Sequence, residues 1–112
     1  MAYQPQPSNL SRASGSIGAT KTDISGGIAA QVYGWYIYNP NADAVYVQFF
    51  NNTAAGATLG SPYYAIGIPG TAAANVFGPG IDHSVAISIA VTTTRTGTSG
   101  PTSTVDYNIF YK

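Results

Sequence analysis

The amino-acid sequence predicts an all-β protein, an antiparallel β-sandwich of jelly-roll or immunoglobulin-like topology with an extended N-terminal arm. Six short segments alternate apolar and polar side chains with the period of two that is typical of strands. Clusters of Gly, Pro and Asn separate them at spacings of about ten residues, as in sandwiches. No segment shows the period of about 3.6 residues that marks a helix. The strand pattern does not distinguish a jelly-roll from an immunoglobulin-like topology.

The N-terminal arm is predicted to span residues 1–27, which are rich in Ser, Gly, Gln and Pro. Such a segment buries too little apolar surface to offset the entropy lost on ordering, so it should be flexible by itself. Its few large apolar side chains could anchor it on a neighbouring subunit, and residues 21–25 could form a short edge strand. The β-sandwich domain then spans residues 28–112.

A hairpin is predicted over residues 32–51, VYGWYIYNPNADAVYVQFFN, which contain the only Trp and four of the nine Tyr. Residues 39–43 have turn chemistry, because Pro fixes φ while Asn and Asp bond nearby backbone groups. On the first strand Tyr33 and Trp35 share one face, and both faces of both strands are substantially apolar. The hairpin should therefore be covered on both sides, by a second sheet or by another subunit.

Four further strands are predicted, over residues 62–69, 75–77, 84–91 and 105–112. In the third of these, one face consists of β-branched residues suited to a sheet core, namely Val85, Ile87, Ile89 and Val91. The opposite face permits close approach of another layer because it carries only small side chains, those of Ser84, Ala86, Ser88 and Ala90. The Thr-rich connection over residues 92–104 is longer than most loops, which indicates a functional or disordered segment.

The composition favours a subunit of an assembly. Charged side chains make up 7% of the 112 residues, the net charge is zero, and Cys and Glu are absent. An ordinary globular domain carries about 25% charged residues. This balance gives no long-range attraction to nucleic acid or to an anionic membrane, and no thiol for a disulfide or a metal. Because a neutral surface protects poorly against self-association, we expect a homo-oligomer.

No pattern in the sequence predicts a catalytic, cofactor or metal site, so we expect a protein that is not an enzyme. His83 is the only His, and its neighbour Asp82 should point to the opposite face of a strand, which makes it a poor orienter of the ring. A turn or interface position suits His83 better. Asn39, Asn41 and Asp43 have the spacing of oxygen ligands in a calcium loop, but the Gly and the distal Glu of that loop are missing.

The density of Tyr and Trp supports an alternative, a platform that binds sugar rings. β-Sandwich carbohydrate-binding modules present a flat aromatic face with a polar rim. The candidate residues are Tyr33, Trp35, Tyr36, Tyr38, Tyr46, Tyr63 and Tyr64. Aromatic residues at strand spacing more often belong to a core or an interface, so packing is the favoured interpretation.

Three phrases of the sequence, VYGWYIYNPNADAVYVQFFN, GIDHSVAISIAV and VDYNIFYK, resemble a group of small β-sandwich proteins encoded by tailed bacteriophages. The resemblance covers residues 28–112. It implies a virion component: a capsid decoration (cement) protein, or a part of a tail or head fibre. Cement proteins of this size commonly form trimers on the major capsid protein and use an extended arm. The resemblance implies no catalytic residues.

The interface of such a trimer should use an apolar or small-residue face. The candidates are the Ser84, Ala86, Ser88 and Ala90 face and the Tyr33 and Trp35 face. The first residues lack the basic-then-apolar pattern of a secretory signal, and the longest apolar run is too short to cross a bilayer. We therefore expect synthesis in the host cytoplasm, and the resemblance implies a place on the capsid surface of the virion.

Overall fold

Eight β-strands make up the secondary structure of residues 9–112, the part of the chain that the computed structural model describes. Their bounds are β1 Ser11–Ile17, β2 Thr22–Asp23, β3 Ala30–Asn39, β4 Val45–Asn51, β5 Tyr64–Ile68, β6 Ala72–His83, β7 Ile87–Thr92 and β8 Val105–Tyr111. They form two four-stranded antiparallel sheets. Sheet A has the order β1-β8-β3-β6, and sheet B has the order β2-β7-β4-β5. The predicted all-β class and antiparallel sandwich are confirmed.

The core lies between the two sheets and consists of their inward side chains. In β8 the predicted alternation is present, since Val105 and Ile109 are fully buried while Asp106 is exposed. In β7 the β-branched residues are also fully buried, except that Val85 lies before the strand and is exposed. Each fully buried large apolar side chain stabilises the fold by about 1.5–3 kcal/mol.

The hairpin predicted over residues 32–51 is a crossing between the sheets instead. β3 and β4 occur where the sequence predicts strands, but β3 lies in sheet A and β4 lies in sheet B. The turn between them carries the chain over the edge of the core, so the apolar inner faces of the two strands pack across it. Turn residues mark the change of direction, but they do not determine whether the flanking strands pair.

Asn39 and Asn41 together fix three such crossings at one end of the sandwich. The buried Nδ2 group of Asn39 donates to backbone oxygens of the β3–β4 turn and of residues 68–69, at 3.0 to 3.3 Å. Its Oδ1 atom accepts from the backbone and side-chain nitrogens of Asn41. Asn41 in turn bonds the backbone of Ser103 in both directions. The two amides thereby join the β3–β4, β5–β6 and β7–β8 connections.

The described part of the predicted arm is built into the sandwich. β1 pairs with β8 along its whole length, and β2 pairs with β7 at the edge of sheet B. β2 falls within residues 21–25, in agreement with the predicted edge strand. The segment differs from the predicted flexible arm because strand pairing supplies backbone hydrogen bonds that composition does not reveal. The rest of the predicted arm, residues 1–8, lies outside the described residues.

β6 continues through Gly78-Pro79-Gly80, beyond residue 77, where the predicted strand over residues 75–77 ends. The three residues form a bulge opposite Tyr33, because Val32 pairs with Ile81 and Gly34 already pairs with Phe77. Gly80 has φ of 106°, a conformation that suits Gly. A bulge of this kind bends the strand and changes which side chains face the core.

Candidate docking face on the outer side of sheet A

The outer side of sheet A is a regular array, because the strand registers align outward residues in rows across β1, β8, β3 and β6. These rows are Arg12, Phe110, Gly34 and Phe77; then Ser14, Asn108, Tyr36 and Asn75; then Ser16, Asp106, Tyr38 and Ala73. We call this array the outer face of sheet A. Apart from Gly34, which is buried, every residue in it is exposed or half-buried.

Large aromatic side chains occupy the middle of this face. Phe77 is 56% exposed and Tyr36 is 45% exposed. The rings of Phe77 and Phe110 pack on each other with centroids 5.0 Å apart. Gly34 lies beneath them, and a Cβ atom there would come within 2.8 Å of the Phe77 ring. Contiguous exposed apolar surface of this kind marks contact sites in other proteins.

A separate apolar hollow lies at the β6 bulge, where core-facing side chains of β3 and β6 reach the surface. Its volume is about 180 Å³, and its lining includes Val32, Trp35, Pro79 and Ile81. Val76, which also lines it, is 45% exposed. The hollow is large enough to accept an apolar side chain from a binding partner.

Within the three rows, charged side chains occur only on β1 and β8, while exposed Asp82 of β6 lies beyond the rows, opposite Gln31. Arg12 and Asp106 are both exposed, and Ser16 Oγ donates to Asp106 Oδ1 at 2.8 Å. The β3 and β6 positions of the array carry only aromatic, amide and small side chains. A partner of this region is therefore selected by shape and hydrogen bonding more than by charge.

The small-residue face, predicted as a subunit contact, lies on the outer side of sheet B and is already covered. Ala86, Ser88 and Ala90 have no exposed surface, whereas Ser84 is exposed and precedes β7. The loop over residues 52–62 makes the close approach that these small side chains permit. The chain itself, instead of a second subunit, therefore occupies this face.

Several contacts hold that loop in place, and two of them involve the small-residue face directly. Ser88 Oγ donates to the backbone oxygen of Asn52 at 2.9 Å. Ala57 packs in a second, smaller apolar cluster with Phe50 and Ala90. This cluster is separate from the core between the sheets, so sheet B is packed on both sides.

Gln48 ties both covering loops to sheet B. It is fully buried, and its Nε2 group lies 2.9 to 3.2 Å from Thr92 Oγ1 and from the backbone oxygens of Arg95 and Gly97. Its Oε1 atom accepts from the backbone nitrogen of Gly60 at 2.9 Å. Since a buried amide without partners is costly, these bonds fix both loops. The long connection after β7 is thus anchored at its start.

Tyr33 and Trp35 do not share the face that the sequence predicts for them. The bulge places Val32 and Trp35 on the core side, and the Trp35 ring packs 5.7 Å from that of Phe49. Trp35 Nε1 is buried and has no hydrogen-bond partner within residues 9–112. The Tyr33 hydroxyl donates to Gln31 Oε1 at 2.6 Å. Tyr33 and Trp35 nevertheless both line the apolar hollow at the β6 bulge, so an interface that uses both stays a prediction.

His83 is a buried structural residue and does not occupy the turn or interface position that the sequence favours. Its Nδ1 lies 3.1 and 3.2 Å from the backbone oxygens of Phe50 and Ala86, so this nitrogen carries the proton. Its Nε2 accepts from the Tyr64 hydroxyl at 3.0 Å. Burial lowers the pKa of His83 and raises that of Tyr64 well above its usual range. Both ring nitrogens are used to hold the sheets together.

The calcium-loop spacing of Asn39, Asn41 and Asp43 serves the turn instead. The amide groups of Asn39 and Asn41 are engaged in the bonds that fix the crossings. No group of three or more His, Asp or Glu suited to a metal ion occurs among residues 9–112.

The seven candidate aromatic residues are not brought together. Only Tyr36 and Tyr38 lie on the outer face of sheet A, while Trp35 and Tyr64 pack against the core. The neighbours of Tyr36 and Tyr38 include Phe77 and Phe110, which the sequence-based candidates omit. The sequence does contain a signal for Phe110. It follows Ile109, which is on the core side of β8, so the alternation of side chains places Phe110 on the outward side.

None of the protein-family models, curated proteins or solved structures compared with this chain matches it. The described residues contain no helix with the length and apolarity needed to cross a membrane.

Proposed function

We propose that this protein is a structural virion component, a capsid decoration protein that binds the outside of a phage head and stabilises it through contacts between subunits. The outer face of sheet A carries this proposal, since it presents exposed Phe77 and Tyr36 on paired strands. Exposed apolar patches are characteristic of contact surfaces. The resemblance of residues 28–112 to small phage sandwich proteins supports the same assignment.

A jelly-roll topology is part of the proposal. β1 pairs with β8, β2 with β7, β3 with β6 and β4 with β5, as when one long antiparallel ribbon wraps around the core. Eight-stranded jelly rolls occur in viral capsid and lectin domains. This is an analogy between folds, and it supports a virion role only through that association.

The proposed partners are copies of this chain, as a trimer, and the major capsid protein. Each copy buries apolar side chains of the outer face of sheet A against the head. Because the head surface repeats, many individually weak contacts act together. The proposed activity is binding alone, without a catalytic residue or a cofactor.

Electron microscopy of intact particles and co-sedimentation with phage heads test this proposal. We expect density for the protein on the head exterior, and we expect Phe77→Ser to weaken co-sedimentation at least about tenfold, as loss of a central aromatic contact does. Tyr63→Ser is the matched control, because Tyr63 is 55% exposed but lies outside sheet A. Equal effects of the two changes, or no binding to heads, would overturn the proposal.

A neutral glycan is a second candidate ligand, and one row of the outer face of sheet A favours it. Tyr36 lies between Asn108 and Asn75, so an exposed aromatic ring is flanked by two amides. Aromatic rings pack on the apolar faces of sugars, and amides bond their hydroxyl groups. The protein would then be a receptor- or carbohydrate-binding module of a tail or head fibre.

A glycan array separates the two candidates. If the face binds sugar, Asn75→Ala should abolish array binding and leave co-sedimentation with heads intact. An array that shows no binding removes the glycan candidate.

A further inference from the structure

The edge strand β1 differs from the other three edge strands of the sandwich. Edge strands offer unpaired backbone groups to other chains, and most proteins protect them. β2 has only two residues, β5 is preceded by Pro62 and followed by Pro69, and β6 contains the bulge at residues 78–80. β1 has seven residues, no Pro and no bulge, and no strand within residues 9–112 pairs with its outer edge.

We propose that β1 pairs antiparallel with β1 of a second copy of this chain about a twofold axis. The two A sheets then form one continuous sheet of eight strands, four from each copy. Backbone hydrogen bonds supply the affinity of strand addition. A twofold contact uses the same surface on both copies, so one open edge is sufficient.

The register of this contact follows from which side each residue of β1 faces. Ala13 and Ile17 pack on the core, whereas Arg12 and Ser16 lie on the outer face. Opposed residues of antiparallel strands share a side, so core-facing positions must meet core-facing positions. The register that pairs all seven residues places Ser14 opposite Ser14 of the second copy and Arg12 opposite Ser16.

Arg12 and Asp106 give this register charge complementarity. Within one chain, Asp106 lies beside Ser16, and its Oδ1 atom accepts a hydrogen bond from Ser16 Oγ at 2.8 Å. In the pair, Arg12 is opposite Ser16 of the second copy, so about 10 Å separates its Cα atom from that of the second copy's Asp106. Extended Arg and Asp side chains span this distance, and the small Ser16 does not obstruct them. Within one chain the same two Cα atoms are farther apart, about 14 Å.

The inference does not depend on the proposed function. The contact joins the two outer faces of sheet A into one surface, which doubles the area that a flat partner meets. A twofold contact between two monomers doubles the particle mass, and a trimer, which has three β1 edges, at least doubles in mass on pairing.

A charge swap tests the register. Light scattering coupled to size-exclusion chromatography should show doubling of the mass with rising concentration, less so at high salt. Arg12→Asp should weaken association about tenfold, since two ion pairs become two repulsions. Adding Asp106→Arg should restore it. Arg95→Asp, the same charge change at an exposed position on a loop over sheet B, should have no effect.

Circular dichroism shows which variants are folded, and only these are compared. The inference is wrong if the mass never doubles up to about millimolar concentration, an affinity too weak for a specific contact. It is also wrong if Arg12→Asp behaves like Arg95→Asp, or if the folded double variant is not rescued.

A cross-link tests the twofold axis independently. The chain has no Cys, so Ser14→Cys introduces a single thiol. Facing Cα atoms of antiparallel strands lie about 4.5 to 5.5 Å apart, within disulfide range. Mild oxidation should therefore convert this variant to a covalent dimer much faster than Ser99→Cys, whose site is exposed on the loop after β7. Equal rates would contradict the axis.

Discussion

The two sheets share one core, but loops cover the outer side of sheet B and leave the outer side of sheet A exposed. On sheet B the outer side carries small residues and the buried Gln48, and the loops after β4 and β7 cover it. On sheet A the outer side carries exposed Tyr36 and Phe77, with no covering loop within residues 9–112. The chain completes sheet B by itself and leaves sheet A as the surface on which an external partner can dock.

Side-chain size explains this difference. Ala90 and Ser88 let a loop backbone approach sheet B closely enough to bond to it. The Phe77 and Phe110 rings hold any covering layer of sheet A farther away, and only Gly34 leaves them space to lie flat. The following predictions test this contrast, beginning with the largest effect.

Among the primary changes, replacing Gln48 by Leu should cause the largest loss of stability, exceeded only by the control change Phe50→Ser. The change removes the side-chain amide that bonds the backbone nitrogen of Gly60 and the backbone oxygens of Arg95 and Gly97. Each buried group left unpaired costs about 1–3 kcal/mol. We expect a decrease of about 2–4 kcal/mol in the free energy of unfolding by urea denaturation, with faster amide exchange in both loops. A decrease below about 0.5 kcal/mol would show that the loops do not depend on this amide.

Ala90→Leu should destabilise the protein less, and the matched change Ala73→Leu should have almost no effect. Ala90 is fully buried beneath the loop over residues 52–62, so extra methyl groups there cost about 1–3 kcal/mol. Ala73 is exposed on the outer face of sheet A, where substitutions typically stay within about 0.5 kcal/mol. Thermal or urea unfolding of the pair measures the contrast directly. Equal effects would mean that both outer sides are open.

His83 should make stability depend on pH over a narrow window. Burial lowers the pKa of His83 in the folded protein below its ordinary value of 6.5, against weaker opposing effects of Ala86, Phe50 and Asp82. The unfolded chain therefore binds this proton at a higher pH than the folded chain. Stability should be full above pH 6.5 and decrease as the pH falls from there towards the folded pKa.

The control for this window is His83→Gln. It should lower stability at every pH, because it disturbs bonds to the β4 backbone and to Tyr64, but it should flatten the slope below pH 6.5. A wild-type stability that rises on acidification through this range would contradict the assignment.

The strands were largely predictable from the sequence, while the pairing of strands was not. Alternation in residues 105–112 correctly identified the buried side of β8, because side-chain period is a local property. The turn at residues 39–43 was also recognised, but the assignment of β3 and β4 to different sheets depends on Asn39 bonds to residues 68–69, distant in sequence. Composition predicted a flexible segment where β1 forms, since the stability of β1 comes from pairing with β8, whereas β2 falls within the predicted edge strand over residues 21–25.

The candidate docking face was less predictable for the same reason. A single bulge opposite Tyr33 changed which residues of β3 face the core, and nothing local to β3 signals it. The small side chains of β7 correctly indicated close approach of another layer, but could not show that the layer is the chain's own loop. Phe77 became a surface residue only through the pairing of β6 with β3.

Among the primary changes, Phe77→Ser should have the smallest effect on stability, although it removes a large aromatic ring. The ring is 56% exposed, and its main contact is with Phe110, a type of pair worth about 0.5–1.5 kcal/mol. Phe50→Ser is the matched change on the outer side of sheet B, where the ring is 2% exposed and its loss should cost about 3–5 kcal/mol. Urea denaturation of the two variants compares them under one condition. If Phe77→Ser were as destabilising as Phe50→Ser, the Phe77 ring would be part of the fold's own packing and could not be retained for a partner.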